Sequence, residues 1–305
     1  MSDTKLYMGI EVGDASLKVA LLESAEKRIL KTAVLNTETS PLNDVFTFEN
    51  VLQEWLNANQ IENIEAISVT VPAFRSIVRQ VYIPAEASSN VDDYLTWYLS
   101  LITNADANAY VVDYKALNCV DKSLGFSVLM IAVRREWVDA LRKGFRSKML
   151  VPKAMEVDVL SLMNLMDVAE NIKHLECVVK ADYSGVSLIW LSKDNLLALR
   201  SVSTLSLVDK SREEAFNFLA DGILEQIALA QSENSAPEIT RIHLCGEIAE
   251  DSLFVETLRG KNPNLQIALM DSFSNLRLPI DSDDSAEVLS CIGAIGAVLS
   301  LVEGT

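Results

Sequence analysis

Three apolar, β-branched stretches open the chain, Leu6–Val12, Ser16–Leu22 and Ile29–Leu35. They are separated by short polar turns and predict three consecutive strands. Between Val45 and Asn57 the spacing changes. Phe48, Leu52, Trp55 and Leu56 recur on one helical face, and Ile64–Pro72 (IEAISVTVP) then reads as a buried strand. After Pro72 the order of elements departs from this plan. Ile77–Ile83 is extended and Pro84 breaks it. Val91–Ile102 is helical, with Tyr94, Leu95, Tyr98 and Leu101 spaced for one apolar face. Tyr110–Leu117 and Phe126–Val133 follow as strands. Arg135–Ser147 is a second amphipathic helix carrying Trp137, Val138, Leu141 and Phe145, and Val151–Val157 leads out past Pro152. This stretch predicts a small α/β module of its own.

From Cys177 the opening plan restarts. Strands are expected near 177–182, 186–191 and 196–202, followed by a long helix from about Ser211 to Ser232 with Phe216, Leu219, Ile223, Ile227 and Ala230 on its apolar face. The loop SENSAPEIT has turn chemistry, and Ile239–Gly246 (ITRIHLCG) reads as the last major strand. The tail from Ala286 to Leu301 contains SCIGAIGAVLSL and reads as a buried helix in which Gly293 and Gly296 permit close packing, although each costs ~1 kcal/mol against Ala.

The restart is visible in the residues themselves, because EVGDASLKVALL recurs in outline as ADYSGVSLIWL. Without gaps, Glu11 faces Asp182, Gly13 faces Ser184, Asp14 faces Gly185 and Ser16 faces Ser187. A strand, hairpin, third strand, helix and further strand, given twice, is the plan of the actin, hexokinase and Hsp70 group. The expected fold is therefore a duplicated α/β actin-like fold, two domains around a cleft with an inserted small α/β subdomain. The first domain is read as 1–157 with the insertion at about 75–150, the second as 158–285, and 286–305 as a C-terminal helix packing back on the first domain. In that plan the two hairpin turns face each other and hold nucleotide phosphates by backbone N–H groups, which calls for close approach and φ > 0.

Composition narrows the function. A length of 305 residues suits two cores, and no apolar run free of charges reaches the ~18 residues a membrane-spanning helix needs. The opening MSDTKLYMGIEVG runs straight into a strand without the regions of a secretory signal, so the expected location is the cytoplasm. A formal net charge of −17 argues against a nucleic-acid or anionic-membrane partner and for a cationic peptide. Cys119, Cys177, Cys245 and Cys291 are scattered singly and read as small buried hydrophobes, and His174 and His243 stand beside no candidate nucleophile. The acidic segment PIDSDDSAE lacks the glycine and glutamate spacing of a calcium loop and is read as a solvated loop without metal.

Segments in the family's order carry a resemblance: MGIEVGDASLKVALLE, VTVPAFRSIVRQVYIP, VLMIAVRREWVDALRKGFRSKMLVPKAMEVD and ILEQIALAQ. Over nearly its whole length the chain resembles the actin-like PilM family of type IV pilus assembly proteins, relatives of the division protein FtsA. The resemblance implies ATP with Mg²⁺. Gly13, Asp14, Ala15, Ser16 and Lys18 would lie at the phosphates with Ser184 and Gly185 opposite and Gly246 at the adenosine side, and Glu11 and Asp182 would hold the metal. The bland alternatives are a strand lysine pointing to solvent for Lys18 and a turn-satisfying carboxylate for Asp182.

The departures from the family pattern fall on this site. The family's second phosphate turn has Asp, an apolar residue and Gly, where this chain has Asp182, Tyr183 and Ser184. Glu247 follows Gly246 where relatives carry paired glycines. Loss of nucleotide binding is therefore the alternative, and no residue stands out as a base for hydrolysis.

The resemblance further implies a cytoplasmic scaffold at the inner face of the inner membrane. It would bind the N-terminal cytoplasmic peptide of a PilN-like membrane protein in a groove between the first domain and the insertion. By motif position the candidates are Val71, Pro72, Phe74, Ile77, Val78 and Arg79, with Tyr94, Trp97 and Tyr98 nearby, and the competing reading of this aromatic cluster is the insertion's own core. A small ATPase or sugar-kinase-like enzyme using the same cleft is the alternative function, and self-association into filaments a third.

Overall fold

The computed structural model describes residues 5–37, 39–40, 45–104, 106–117, 125–147, 150–168, 176–192, 195–204, 210–234, 239–270, 279–281 and 284–303. Cys119, His174, residues 235–238 of the SENSAPEIT loop and 282–283 of the acidic segment lie outside them. In chain order the first half consists of β1 (Leu6–Val12), β2 (Ser16–Glu23), β3 (Arg28–Asn36), α1 (Val45–Ala58) and β4 (Ile64–Val71). The insertion follows with β5 (Ile77–Ile83), α2 (Val91–Thr103), β6 (Tyr110–Leu117), β7 (Phe126–Arg134) and α3 (Arg135–Ser147). The chain returns through β8 (Pro152–Val157) and α4 (Asp158–Val168). The second half is β9 (Glu176–Asp182), β10 (Gly185–Ser192), β11 (Asn195–Ser203), α5 (Arg212–Asn234), β12 (Arg241–Cys245), α6 (Ser252–Lys261) and β13 (Gln266–Leu269), closed by α7 (Ser285–Ser290) and α8 (Ile292–Glu303).

The duplication is complete at the level of the sheets. The first sheet runs β3-β2-β1-β4-β8 and the second β11-β10-β9-β12-β13. In each, three strands form an antiparallel meander and two more add in parallel. The ungapped pairing of the two motifs does not survive, however. The first hairpin leaves four residues, 13–16, between the paired Val12 and Leu17, whereas the second closes through Tyr183 and Ser184 alone, because Asp182 already pairs with Gly185. Gly185 and Ser187 are thus strand residues and not counterparts of the first turn.

The insertion sheet, ordered β5-β7-β6, is apolar on both faces, and the period of two separates them. Val128, Met130 and Ala132 of β7 pack with Leu95 and Leu99 of α2 in one core, while Leu129 joins the main core with Leu141 and Phe145 of α3. Phe145 meets Phe48 of α1 edge to face at 4.8 Å, which fastens the module to the first domain.

Helix α8 is buried on every side, with Ile292, Ala294, Ile295, Ala297 and Val298 inaccessible. It packs on β1, β2 and β4 of the first sheet and against α4. Leu162 and Leu165 of α4 lie in a core that the first sheet and α8 share with Val178 and Ile189 of the second sheet, and the stretch after 158 packs chiefly against α8. Gly296 allows the contact between these helices, because a Cβ there would lie 2.1 Å from the Ser161 carbonyl oxygen.

Candidate functional site: a salt-bridged cleft between the two halves

Both hairpins, the root of the insertion and the segment after β12 converge on one cavity of about 310 Å³. Its lining includes Glu11, Gly13, Asp14, Ala15, Ser16, Lys18, Asp182, Ser184 and Glu247, together with Pro72 and Phe74. The residues expected to face nucleotide are therefore brought together, apart from Gly185 and Gly246. Gly185 sits under the Phe74 ring, where a Cβ would come within 2.8 Å of the ring carbons. Gly246 takes φ +100° against the Ala181 backbone, a conformation an L-residue rarely adopts. Gly13 has no such φ; its closeness to Ser16 is what excludes a side chain, since a Cβ would lie 2.9 Å from the Ser16 hydroxyl oxygen.

Lys18 neither approaches a phosphate position freely nor points to solvent. It stands opposite Glu11 in the β1–β2 ladder, is 1% exposed, and its ammonium donates to Glu11 Oε1 and Asp182 Oδ1, each at 2.9 Å. Glu247 Oε1 lies 3.3 Å from the same nitrogen. Lys180 on β9 answers from the other half. Its ammonium lies 2.7 Å from Glu11 Oε1 and 3.1 Å from Asp158 Oδ2, and it also donates to Asp182 Oδ2. Each ammonium has three donors and finds three carboxylates.

The carboxylates are in turn anchored by backbone. Asp158, first residue of α4, accepts from the Ala73 N–H at 2.8 Å, and Asp182 Oδ1 accepts from the Glu247 N–H at 3.0 Å. At the mouth, the Glu247 carboxylate accepts from the Ser16 hydroxyl at 3.1 Å and from the Tyr183 N–H at 3.4 Å. Asp14 is held by the Arg75 guanidinium, with Nη2 at 2.7 Å.

The electrostatics follow from this packing. Burial alone would depress both lysines, but Asp182 and Glu11 outweigh it and hold each ammonium above its ordinary range. Burial would likewise raise Asp182, but Lys18 and Lys180 overcome it and hold this carboxyl well below the usual carboxylate range. Asp158 goes the other way: burial pushes it up, with Glu11 adding to the rise against the pull of Lys180. Of the cysteines, Cys177, Cys245 and Cys291 are buried and free, and burial pushes the Cys291 thiol up to about 12, the chemistry of packing residues and not of nucleophiles.

Glu11, Asp158 and Asp182 bring ligand atoms within 4.8 Å of one another, the one carboxylate cluster among the described residues compact enough for a metal. The donor set does not fit Mg²⁺ as it stands, because Lys180 already bonds all three. The ion needs near-octahedral oxygens at about 2.0–2.1 Å, with waters, and would meet two ammonium groups. The family resemblance implies Glu11 and Asp182 as metal holders; in the structure they hold Lys18 and Lys180. Lys180, Asp158 and Arg75 were missed. The available signal was a lysine inside the apolar run CVVKAD, since a charge in a buried strand requires a partner.

A second concavity, about 370 Å³, lies between the first domain and the insertion. It is lined by β8 and by Val111, Asp113, Ile131, Val133, Val138 and Leu141. Of the expected partner-binding residues only Val71 reaches it. Pro72 and Phe74 line the interdomain cleft, Val78 lies in the main core, and Arg79 donates to the Val78 carbonyl. Ile77, Tyr94 and Tyr98 pack against the insertion's own core, on the face opposite the concavity, and Trp97 on the same helix is 54% exposed.

No protein-family model matches the chain, and no curated protein matches it by sequence. Solved structures do. A chain of the PilM–PilN type IV pilus biogenesis complex aligns with a TM-score of 0.74 at 16% identity, covering 97% of this chain and 98% of that one. A Bacteroides thetaiotaomicron protein with actin-like ATPase fold aligns at 0.56 with 11% identity, covering 90% and 95%. The cytoplasmic domain of EpsL, an inner membrane component of the type II secretion system of Vibrio cholerae, aligns at 0.53 with 11% identity, covering 94% of each. Two sheets of identical strand order around a common cleft, in an arrangement similar over nearly the whole chain to PilM, establish that this protein has the actin-like ATPase fold.

Proposed function

We propose that the chain is an actin-like scaffold of a pilus or secretion machine, working in the cytoplasm at the inner membrane. There it would take up the N-terminal cytoplasmic tail of a PilN-like membrane partner. The observation that carries this reading is the concavity between the first domain and the insertion. It is apolar where Val111, Ile131, Val133 and Val151 line it, and it is flanked by the edge strands β8 and β6 of two separate sheets. Edge strands offer unpaired N–H and C=O groups to an added extended segment, and apolar walls select its alternate side chains. The likeness to the PilM–PilN complex and to EpsL supports the same class of role. No helix among the described residues is long and apolar enough to cross a membrane, so attachment would come through the partner. A net charge of −17 favours a basic tail.

The test is calorimetric titration of the chain with the cytoplasmic tail peptide of the PilN-like protein from the same organism. Saturable binding that Val151→Glu and Val111→Glu weaken supports the proposal. Absence of binding, or binding indifferent to both, counts against it.

A further inference from the structure

The cleft is wired across the duplication by an exchange of lysines. Lys18 of the first domain serves Asp182 and Glu247 of the second, and Lys180 of the second serves Glu11 of the first and Asp158 of the helix packed on it. The three carboxylates around Lys180 are those whose oxygens lie close enough together for a cation. A positive charge at that point is supplied by the chain.

The anionic half of the site is filled as well. The Ser16 hydroxyl of the first turn and the Tyr183 N–H of the second are donors in the place where this fold is expected to meet phosphate, and both end on the Glu247 carboxylate. Lys18 lies against the same group at 3.3 Å. Phe74 closes the side of the cleft by packing on Gly185.

We infer that the chain occupies its own nucleotide site, the Lys180 ammonium standing in for the divalent cation and the Glu247 carboxylate for a phosphate. The two halves are thereby joined across the cleft without ligand. A metal–nucleotide could enter only by displacing Lys180, which would leave an ammonium with no partners in a buried setting. This stands apart from the partner reading, since it concerns the other concavity and is decided whether or not a tail peptide binds.

Mn²⁺, followed by the loss of its free-ion paramagnetic resonance signal, is the probe. The wild-type chain should take up no stoichiometric Mn²⁺, with or without ATP. Lys180→Met should gain one Mn²⁺ per chain and lose it again when Asp182→Asn is added, while Lys180→Arg, which keeps the charge, should gain none. Glu247→Ala added to Lys180→Met should tighten Mn-ATP binding at least tenfold. Should Lys180→Met not fold alone, refolding in millimolar Mn²⁺ replaces the titration: recovery supports the inference and failure to recover overturns it. One Mn²⁺ bound by the wild type and lost in Asp182→Asn, or a folded Lys180→Met that binds none, overturns it too.

Discussion

Lys18 on β2 donates to Asp182 on β9 at 2.9 Å, a bond between the two duplicated halves made by a lysine with only 1% of its surface exposed. Breaking one side of a buried pair leaves the other charge uncompensated, which costs about 3–5 kcal/mol. Lys18→Met and Asp182→Asn are each expected to lower stability by that order in urea unfolding. Their combination should cost less than the sum of the two, which a double-mutant cycle reads directly.

The network also sets the pH range of stability. Asp182 is held below its ordinary 3.8, so its contribution is complete above that value and is lost as pH falls through the folded-state pKa. Lys18 and Lys180 are held above 10.5, so theirs is complete below that pH and is lost as pH rises through theirs. Asp158, raised by burial, opposes the acid loss in part. Thermal melts should show a plateau bounded by pH about 4 and pH about 10.5. Asp182→Asn should lower the plateau and flatten its acid edge.

Gly293 tests how closely α8 must approach this network. A Cβ at 293 would lie 1.9 Å from Glu11 Oε2, with the Lys180 side chain at 3.5 Å. Gly293→Ala is expected to destabilise by several kcal/mol despite its better helix propensity, in the manner of an overpacked core. Gly260 on α6 has nothing within 4 Å of the same position, so Gly260→Ala should be neutral or stabilising by about 0.4–1 kcal/mol. Chemical denaturation of the two variants side by side checks both.

Val151 is 63% exposed at the groove, so Val151→Glu should leave the melting temperature unchanged while reducing tail-peptide affinity about tenfold, or about 1.4 kcal/mol. Trp97→Ala, on the opposite side of the insertion sheet, should leave the tail-peptide affinity unchanged while costing some stability through its ring contact with Tyr94. Calorimetry and a thermal melt on each variant separate the two effects.

The elements were largely legible in the chain, because each strand of the duplicated plan is a β-branched run bounded by turn residues, and α2 and α3 carry their apolar faces at helical spacing. Helix α4 was not, since Asp158–Val168 follows β8 without a turn residue and is apolar on more than one side. The second hairpin was read one feature too far. Equal residue spacing aligns Asp14–Ser16 with Gly185–Ser187, which the β9–β10 ladder absorbs into strand, and only pairing register distinguishes the two. The cleft residues were found as a group, but their roles were not. Lys180 lies 162 residues from Lys18 along the chain, and no local pattern shows that Asp182 is shared between them. The aromatic residues of α2 were placed near the groove by their motif; sheet alternation puts them on the other face.

Thermal unfolding of the wild-type chain in millimolar Mg-ATP is the most direct test of the account, because a ligand that binds only the folded state raises stability by RT ln(1 + [L]/Kd). A cleft held by Lys18, Lys180 and Glu247 predicts no shift in melting temperature. A rise of several degrees that Asp182→Asn abolishes would contradict it and return the cleft to nucleotide.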